Sequence, residues 1–420
     1  MKVRVKIISP AGGKTARIVV PALLTVVILC TAASAAKSPK GLHISSKVLR
    51  SMAKMYTAYG DYEKASSLAQ SALARAKEDN ASDLEMSVCM IELAFLYEKQ
   101  GRLVEAEQMC RGSLKLQASI YYEGHPYIAQ SLRILSCIYK EGGKYELSLA
   151  AMDKALNIML QSHLADDKAM APFYVDYAKL LAVKGDLAQS QAYYLKAQGF
   201  LETTYAPDHL YMANVKASVA RLYTLQGKYG QAQSELNQAL AVQQRVYGSN
   251  NQLLAPTWLS LAANCQEKQD YSQAERLLSK TLAVVDTKGQ NASPFLGRAL
   301  TGLGQVYITQ GKYAKAEGIC HRAVTVLESS RGPDDVQTAM AFNNLAKLYI
   351  HQKKFSQAQD LCDKALSSLE RRFDQGHPNV TQVRRTMARL NPAAVTMGQP
   401  VHTQLHVDSI NELIALARPH

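Results

Sequence analysis

Among seven cysteines no CxxC pair occurs, and neither GxSxG nor HExxH is found in the 420 residues. Without CxxC there is no thiolate pair at the spacing that zinc or a redox dithiol uses. The cysteines stand singly, with Cys110, Cys320 and Cys362 at apolar positions of a repeating pattern, so they read as small core hydrophobes without a disulfide framework. Acids, bases and nucleophiles are scattered, whereas catalysis needs convergent groups in one pocket. An enzyme is therefore not expected, and neither a metal nor a cofactor is implied. Gly13-Lys14-Thr15 resembles the end of a phosphate loop, but Ile8 stands where the first glycine belongs. Asp166 and Asp167 precede a helical pattern and read as a cap.

Acid is missing altogether from residues 1–35, which carry Lys2, Arg4, Lys6, Lys14 and Arg17. Setting those five charges aside lowers the net charge from +13 to +8, too modest an excess to imply a nucleic-acid partner. Behind the basic residues, Ile18 to Cys30 is apolar, and Ala33, Ser34 and Ala35 supply the small residues of a cleavage site. Residues 1–35 are read as an export signal cut near Ala35, giving a periplasmic or extracellular protein. An uncleaved membrane anchor over residues 18–36 is the rival reading, with Pro21 interrupting a barely spanning length. Lipid attachment at Cys30 is disfavoured by the bulky Leu29. Residues 36–44 form a linker.

What is present is a period. An aromatic or leucine recurs as Tyr62, Leu103, Tyr145, Leu187, Tyr229, Tyr271, Tyr313 and Phe355, with a first step of 41 residues and later steps of 42. Nine residues before each stands Ala, Ser or Gly, and three after it Ala or Ser, as in Ala220 and Ala232 or Gly304 and Ala316. Six before it a tyrosine recurs in six copies. Apolar residues on either side of the anchor fall at helical spacing, so each unit is two amphipathic helices, and a period in this range means stacked units. Small residues at close crossings let the helices approach, and a large residue at Ala232 or Ala316 overpacks the repeat.

Glycine stands two before the anchor in six copies, where a turn needs positive φ. Gln269 and Lys353 replace it in the other two, so those turns are expected to be looser or capped differently. Twenty residues before successive anchor positions come Asp83, His125, Asp167, His209, Asn251, Ser293, Asp335 and His377. These mark the starts of the first helices, with the three histidines read as helix-start residues rather than metal ligands. The sequons at Asn80, Asn291 and Asn379 read as chance.

This combination of small residue, tyrosine, turn glycine, aromatic anchor and following alanines resembles the tetratricopeptide repeat. The longer period resembles the kinesin light chain variety, most sharply in the run from Asn343 to Tyr349 and in Gly124-His125-Pro126 and Gly376-His377-Pro378. The resemblance implies an all-α, right-handed superhelical solenoid of about eight helix-turn-helix repeats over residues 45–391. Residues 377–391 repeat the first helix alone and serve as its cap. Residues 392–420 form a loosely ordered tail with helical spacing only at 409–416.

In such a superhelix the first helices line the concave side, and positions twelve and eight before the anchor point into it. Here these include Arg50, Lys54, Arg133, Lys179, Arg221, Asn343, Lys347, Arg385 and Arg389. Basic clusters toward the ends flank a middle containing Phe95, Val175, Leu259 and Ala263. A groove of this kind takes an extended or short helical peptide with acidic residues. The function this implies is a non-enzymatic scaffold for protein or peptide partners, exported or tethered by its N-terminal segment. A cytosolic adaptor similar to kinesin light chain, or a regulatory subunit of a separate enzyme, remain the alternatives.

Overall fold

In the computed structural model, residues 44–390 are described, apart from 59, 163–166, 287–294, 372 and 374. The export segment, the linker up to residue 43, Asn291, Ser293 and the tail with the helical spacing at 409–416 lie outside the described residues, as does the side chain of Asp167. The chain divides into two units, Met1–Ser45 and Ser46–His420, and every helix below belongs to the second.

Seventeen α-helices run in order, and no strand occurs among the described residues. They form eight pairs: α1 Ser46–Ala58 with α2 Tyr62–Glu78, α3 Asp83–Lys99 with α4 Leu103–Ile120, α5 Pro126–Glu141 with α6 Tyr145–Gln161, and α7 Asp167–Lys184 with α8 Leu187–Glu202. The series continues with α9 Leu210–Leu225 and α10 Tyr229–Tyr247, α11 Ala255–Glu267 and α12 Tyr271–Val285, α13 Leu296–Thr309 and α14 Tyr313–Arg331, then α15 Val336–His351 and α16 Phe355–Glu370. Helix α17, Pro378–Ala388, has no partner helix among the described residues and buries Val380 and Val383 against Phe342 and Leu369 of the last pair. The architecture is an all-α repeat solenoid.

Each second helix begins at its anchor residue. The turn before it closes with one repeated bond, in which the N–H before the anchor donates to the carbonyl five residues earlier. Examples are Lys144 to Tyr139 at 2.8 Å and Lys228 to Tyr223 at 2.8 Å. That bond requires a left-handed residue at the turn, and the six turn glycines have φ from 73° to 90°. Gln269 and Lys353 depart from expectation. They take the same conformation, with φ of 62° and 60°, and close the same bond, from Asp270 to Cys265 at 2.8 Å and from Lys354 to Tyr349 at 2.9 Å. Neighbouring repeats dictate the turn, and the missing glycine is tolerated as strain.

Helix starts are capped largely as the spacing requires. His125, His209 and His377 each accept a backbone N–H on Nδ1 at 3.2 Å, from Tyr127, Tyr211 and Asn379. Asp335 and Asn251 accept in the same way, Asn251 at a short 3-10 turn, Gln252–Leu254, ahead of α11. At α3 the cap is Ser82 instead, whose hydroxyl accepts from Glu85 N–H, and Asp83 is the first helical residue.

The small-residue columns are buried throughout, with Ala94, Ala220, Ala346, Ala232 and Ala316 at zero exposure. A methyl group added at Gly304 would lie 2.6 Å from Cys320 Sγ, so at that crossing even alanine is tight. The six described cysteines are free, and Cys89, Cys110, Cys265, Cys320 and Cys362 are buried.

Contacts are not confined to adjacent repeats, although a linear stack implies that they should be. Tyr145 Oη lies 3.0 Å from His377 Nε2, 232 residues away, and its ring stacks on Phe373 and His377. The Arg331 guanidinium rests against Gly101, and Leu253 against Gly60. Turns of the first three repeats thus meet the junctions between repeats five to six repeats later, because small rotations between repeats accumulate until the solenoid closes on its own edge.

Candidate partner-binding groove

The first helices place their charged residues in columns, and ion pairs between successive repeats consume much of that charge. Arg50 donates to Glu92 from Nε and from its terminal nitrogen, both at 2.8 Å, and Lys54 Nζ lies 3.0 Å from the same carboxylate. Burial alone would raise the Glu92 pKa, but Arg50 and then Lys54 overcome it and hold the group below its ordinary value. One helix pair further on, Arg133 pairs with Asp176, and Lys179 Nζ stands 3.1 Å away. Here too burial opposes ionisation, and Lys179, Arg133 and Lys140 outweigh it, keeping Asp176 far below the carboxylate range. Lys140 and Glu141 make a third set, with Glu141 held down to about 2 chiefly by Lys140 against burial, and further by Lys99 and Arg221.

Arg221 is exposed, and no hydrogen bond or ion pair joins it to the described residues. Arg298 stands fifteen residues before Tyr313, a column the resemblance does not single out. Its pKa is pushed down to about 10 by burial, then by Arg221 and Arg331, with only Glu141 opposing. A guanidinium stays charged at any ordinary pH, so for Arg298, whose own surface is exposed, the shift records desolvation by the surrounding protein first and the neighbouring charge of Arg221 and Arg331 after it. Glu141 comes from repeat 3, Arg221 from repeat 5 and Arg298 from repeat 7. Such distant repeats influence one another because the solenoid winds tightly.

Near the C-terminal end, Lys347 Nζ donates to Gln305 Oε1 at 3.0 Å and Asn344 Oδ1 at 3.4 Å. Neither acceptor is an anion, and burial together with Arg389 lowers the Lys347 pKa to about 8. Asn343 has no exposed surface, and both polar atoms of its amide lack a hydrogen-bond partner. Arg385 and Arg389 are exposed on α17. In the middle, Val175 and Leu259 are buried and join the hydrophobic core.

The nine residues on the two columns therefore fall into different situations. Arg50, Lys54, Arg133 and Lys179 are matched by carboxylates, Asn343 is covered, and Arg221, Lys347, Arg385 and Arg389 have no carboxylate partner among the described residues. The column holding Glu92 and Asp176, eleven before the anchor, supplies the neutralising acids. A second pattern concerns the residue just before each anchor. Where it is Asp61, Asp186 or Asp270 it caps the second helix. Where it is basic, the cation lies over the tyrosine of the preceding helix, as Arg102 over Tyr97 at 4.1 Å and Lys354 over Tyr349 at 5.1 Å.

The family model for the tetratricopeptide repeat matches residues 86–161, 170–243, 211–286 and 295–371. No curated protein matches the chain in sequence. Among solved structures, a Rap protein complexed with Competence and Sporulation Factor is similar at a TM-score of 0.50 and 14% identity, over 82% of this chain and 81% of that one. A tetratricopeptide repeat protein from Parabacteroides merdae ATCC 43184 gives 0.43 and 17%, over 72% and 98%. The putative kinesin light chain nearly identical TPR-like repeats of Podosopora anserina give 0.40 and 16%, over 49% and 97%.

Proposed function

The chain belongs to the tetratricopeptide repeat family, and from that premise we propose that it is a non-enzymatic scaffold whose concave groove takes acidic peptide segments of partner proteins. The observation that carries this reading is the unneutralised charge around Arg221 and Arg298. Arg50, Lys54, Arg133 and Lys179 already have carboxylates within reach, but Arg221 and Arg298 form no hydrogen bond or ion pair among the described residues, and Arg298, besides its desolvation, feels the charge of Arg221 and Arg331. An arriving carboxylate relieves that repulsion and accepts hydrogen bonds from planar guanidinium groups. Lys347, held by neutral acceptors and with its pKa lowered by burial and then by Arg389, offers a second point of the same kind.

The scaffold is exported or membrane-tethered in this reading, which rests on the basic and apolar residues of the N-terminal 35. Among the described residues no helix is long and apolar enough to cross a membrane. N-terminal sequencing of the mature protein tests the location. The groove is tested with the full chain and a panel of fluorescent peptides of matched length and graded acidity. Affinity rises with acidic content, and Arg221→Glu lowers it at least about tenfold, which corresponds to about 1.4 kcal/mol. Equal binding of acidic and neutral peptides, or an unchanged affinity in Arg221→Glu, refutes the reading.

A further inference from the structure

An aromatic ring four residues before a capping histidine recurs three times. Phe373 stacks on His377 at 3.9 Å, Tyr121 on His125 at 3.9 Å and Tyr205 on His209 at 4.2 Å. In each, Nδ1 accepts a helix N–H, so the neutral ring carries its hydrogen on Nε2. Each platform therefore combines a flat apolar face with one outward donor. At His377 the platform is filled, since Tyr145 lies over both rings and its hydroxyl meets Nε2 at 3.0 Å. At His125 no turn rests on it among the described residues, and Tyr122 and Tyr127 beside it are 61% and 50% exposed.

The group that fills the first platform comes from the turn Gly143-Lys144-Tyr145. The same triplet recurs as Gly227-Lys228-Tyr229 and as Gly311-Lys312-Tyr313, with the glycine and lysine exposed in both, and of the two tyrosines Tyr313 is the one whose ring also stacks on a histidine. The Tyr313 hydroxyl lies 3.0 Å from His351 Nδ1, and the two rings stack at 4.8 Å. Whichever partner donates, the tyrosine hydroxyl keeps a lone pair for a second donor, so this ring is held in place with an acceptor to spare. Both halves of the Tyr145–His377 contact thus occur again on the chain, on repeats that do not meet.

We propose that the His125 platform receives Tyr313 of a second copy of this chain, joining molecules head to tail through a repetition of the internal Tyr145–His377 contact. The repeat spacing permits it. Repeat 3 of the incoming copy on repeat 7 of the first brings its two preceding repeats onto repeats 5 and 6, clear of the capping helix on repeat 3. The contact is heterologous, with the His125 platform of one molecule taking the Tyr313 turn of the next. It does not involve the concave groove.

Sedimentation velocity on the full chain in mild detergent, over a wide concentration range, tests this. His125→Asp removes the ring and keeps a cap of the kind Asp335 provides, and Tyr313→Leu installs the residue found at Leu103 and Leu187. His125→Asn, after Asn251, is a second cap-preserving variant, and circular dichroism checks that all three fold. Each variant alone weakens self-association at least about tenfold, while an equimolar mixture of His125→Asp with Tyr313→Leu regains association and stops at dimers. A wild-type chain that stays monomeric, variants that associate as the wild type does, or a mixture that fails to dimerise overturns the proposal. Monomers whose Tyr122 and Tyr127 are shielded from solvent would assign the platform to the chain's own tail instead.

Discussion

Replacing Gln269 and Lys353 by glycine should stabilise the protein. Both side chains are exposed and form no hydrogen bond or ion pair among the described residues, so their removal costs little. Both backbones sit at φ near 60°, where a side chain costs roughly 1–2 kcal/mol through contact with the carbonyl. Glycine gives back roughly 0.5–1 kcal/mol of that in extra unfolded-state entropy. The net gain is about 0.5–1 kcal/mol per site. The two turns lie 84 residues apart, and the double variant should gain about twice that, as distant sites do. Gly227→Gln provides the reverse experiment, because a side chain there meets nothing within 4 Å, and its loss of similar size isolates the backbone term. Urea unfolding followed by far-ultraviolet circular dichroism measures these changes, with the slope checked for constancy since long arrays can unfold in steps. Glycine variants less stable than the parent, with Gly227→Gln neutral, would refute the argument that left-handed strain is stored at these two turns.

Lys347 supplies a pH test of the groove. Its folded pKa of about 8 lies below the ordinary lysine value of 10.5, so between those pH values the unfolded chain holds a proton the folded chain has released, and stability rises with pH across that window. Lys347→Met is therefore more stable than the parent at pH 7, and the difference narrows from about pH 8 upward. A difference that does not change with pH contradicts the assignment. In the same protein, acidic-peptide affinity falls as pH passes about 8, because the bound carboxylate favours the protonated amine, and calorimetry in buffers of different ionisation heat records the proton taken up. Ala316→Leu, at a position with zero exposure packed beside Leu348 and Cys320, overpacks the crossing and loses about 1–3 kcal/mol in urea unfolding.

The period made the helix pairs and their turns legible because every repeat applies the same local rules. The anchor begins the second helix in all eight pairs, and the bond to the carbonyl five residues back recurs whether or not glycine is present. Gln269 and Lys353 looked like exceptions only because the residue was weighed alone, whereas the flanking helices had already fixed the path between them. The winding was not legible. Pitch depends on small rotations summed over five or six repeats, and no residue pattern within one period records that sum, so the meeting of Tyr145 with His377 had no sequence signal beyond the aromatic nature of both ends.

The groove shows a different limit, set by reading columns without their neighbours. An arginine twelve before one anchor faces the residue eleven before the next, so Arg50 meets Glu92 and Arg133 meets Asp176. The acids occur in the repeats that follow those arginines, and a count of positive charge by column therefore overstates what a ligand can find. Pairing each position with its successor one repeat on would have withdrawn Arg50, Lys54 and Arg133 from the free charge, as Asp176 of its own helix withdraws Lys179, and kept Arg221, where Ala263 and Ser260 follow instead of an acid. Arg298 escaped because its column, fifteen before the anchor, holds a charge in only one other repeat, Lys47. Its influence arises from Arg221 two repeats away and Arg331 at the end of its own repeat, a relation that the winding creates and the 42-residue period does not encode.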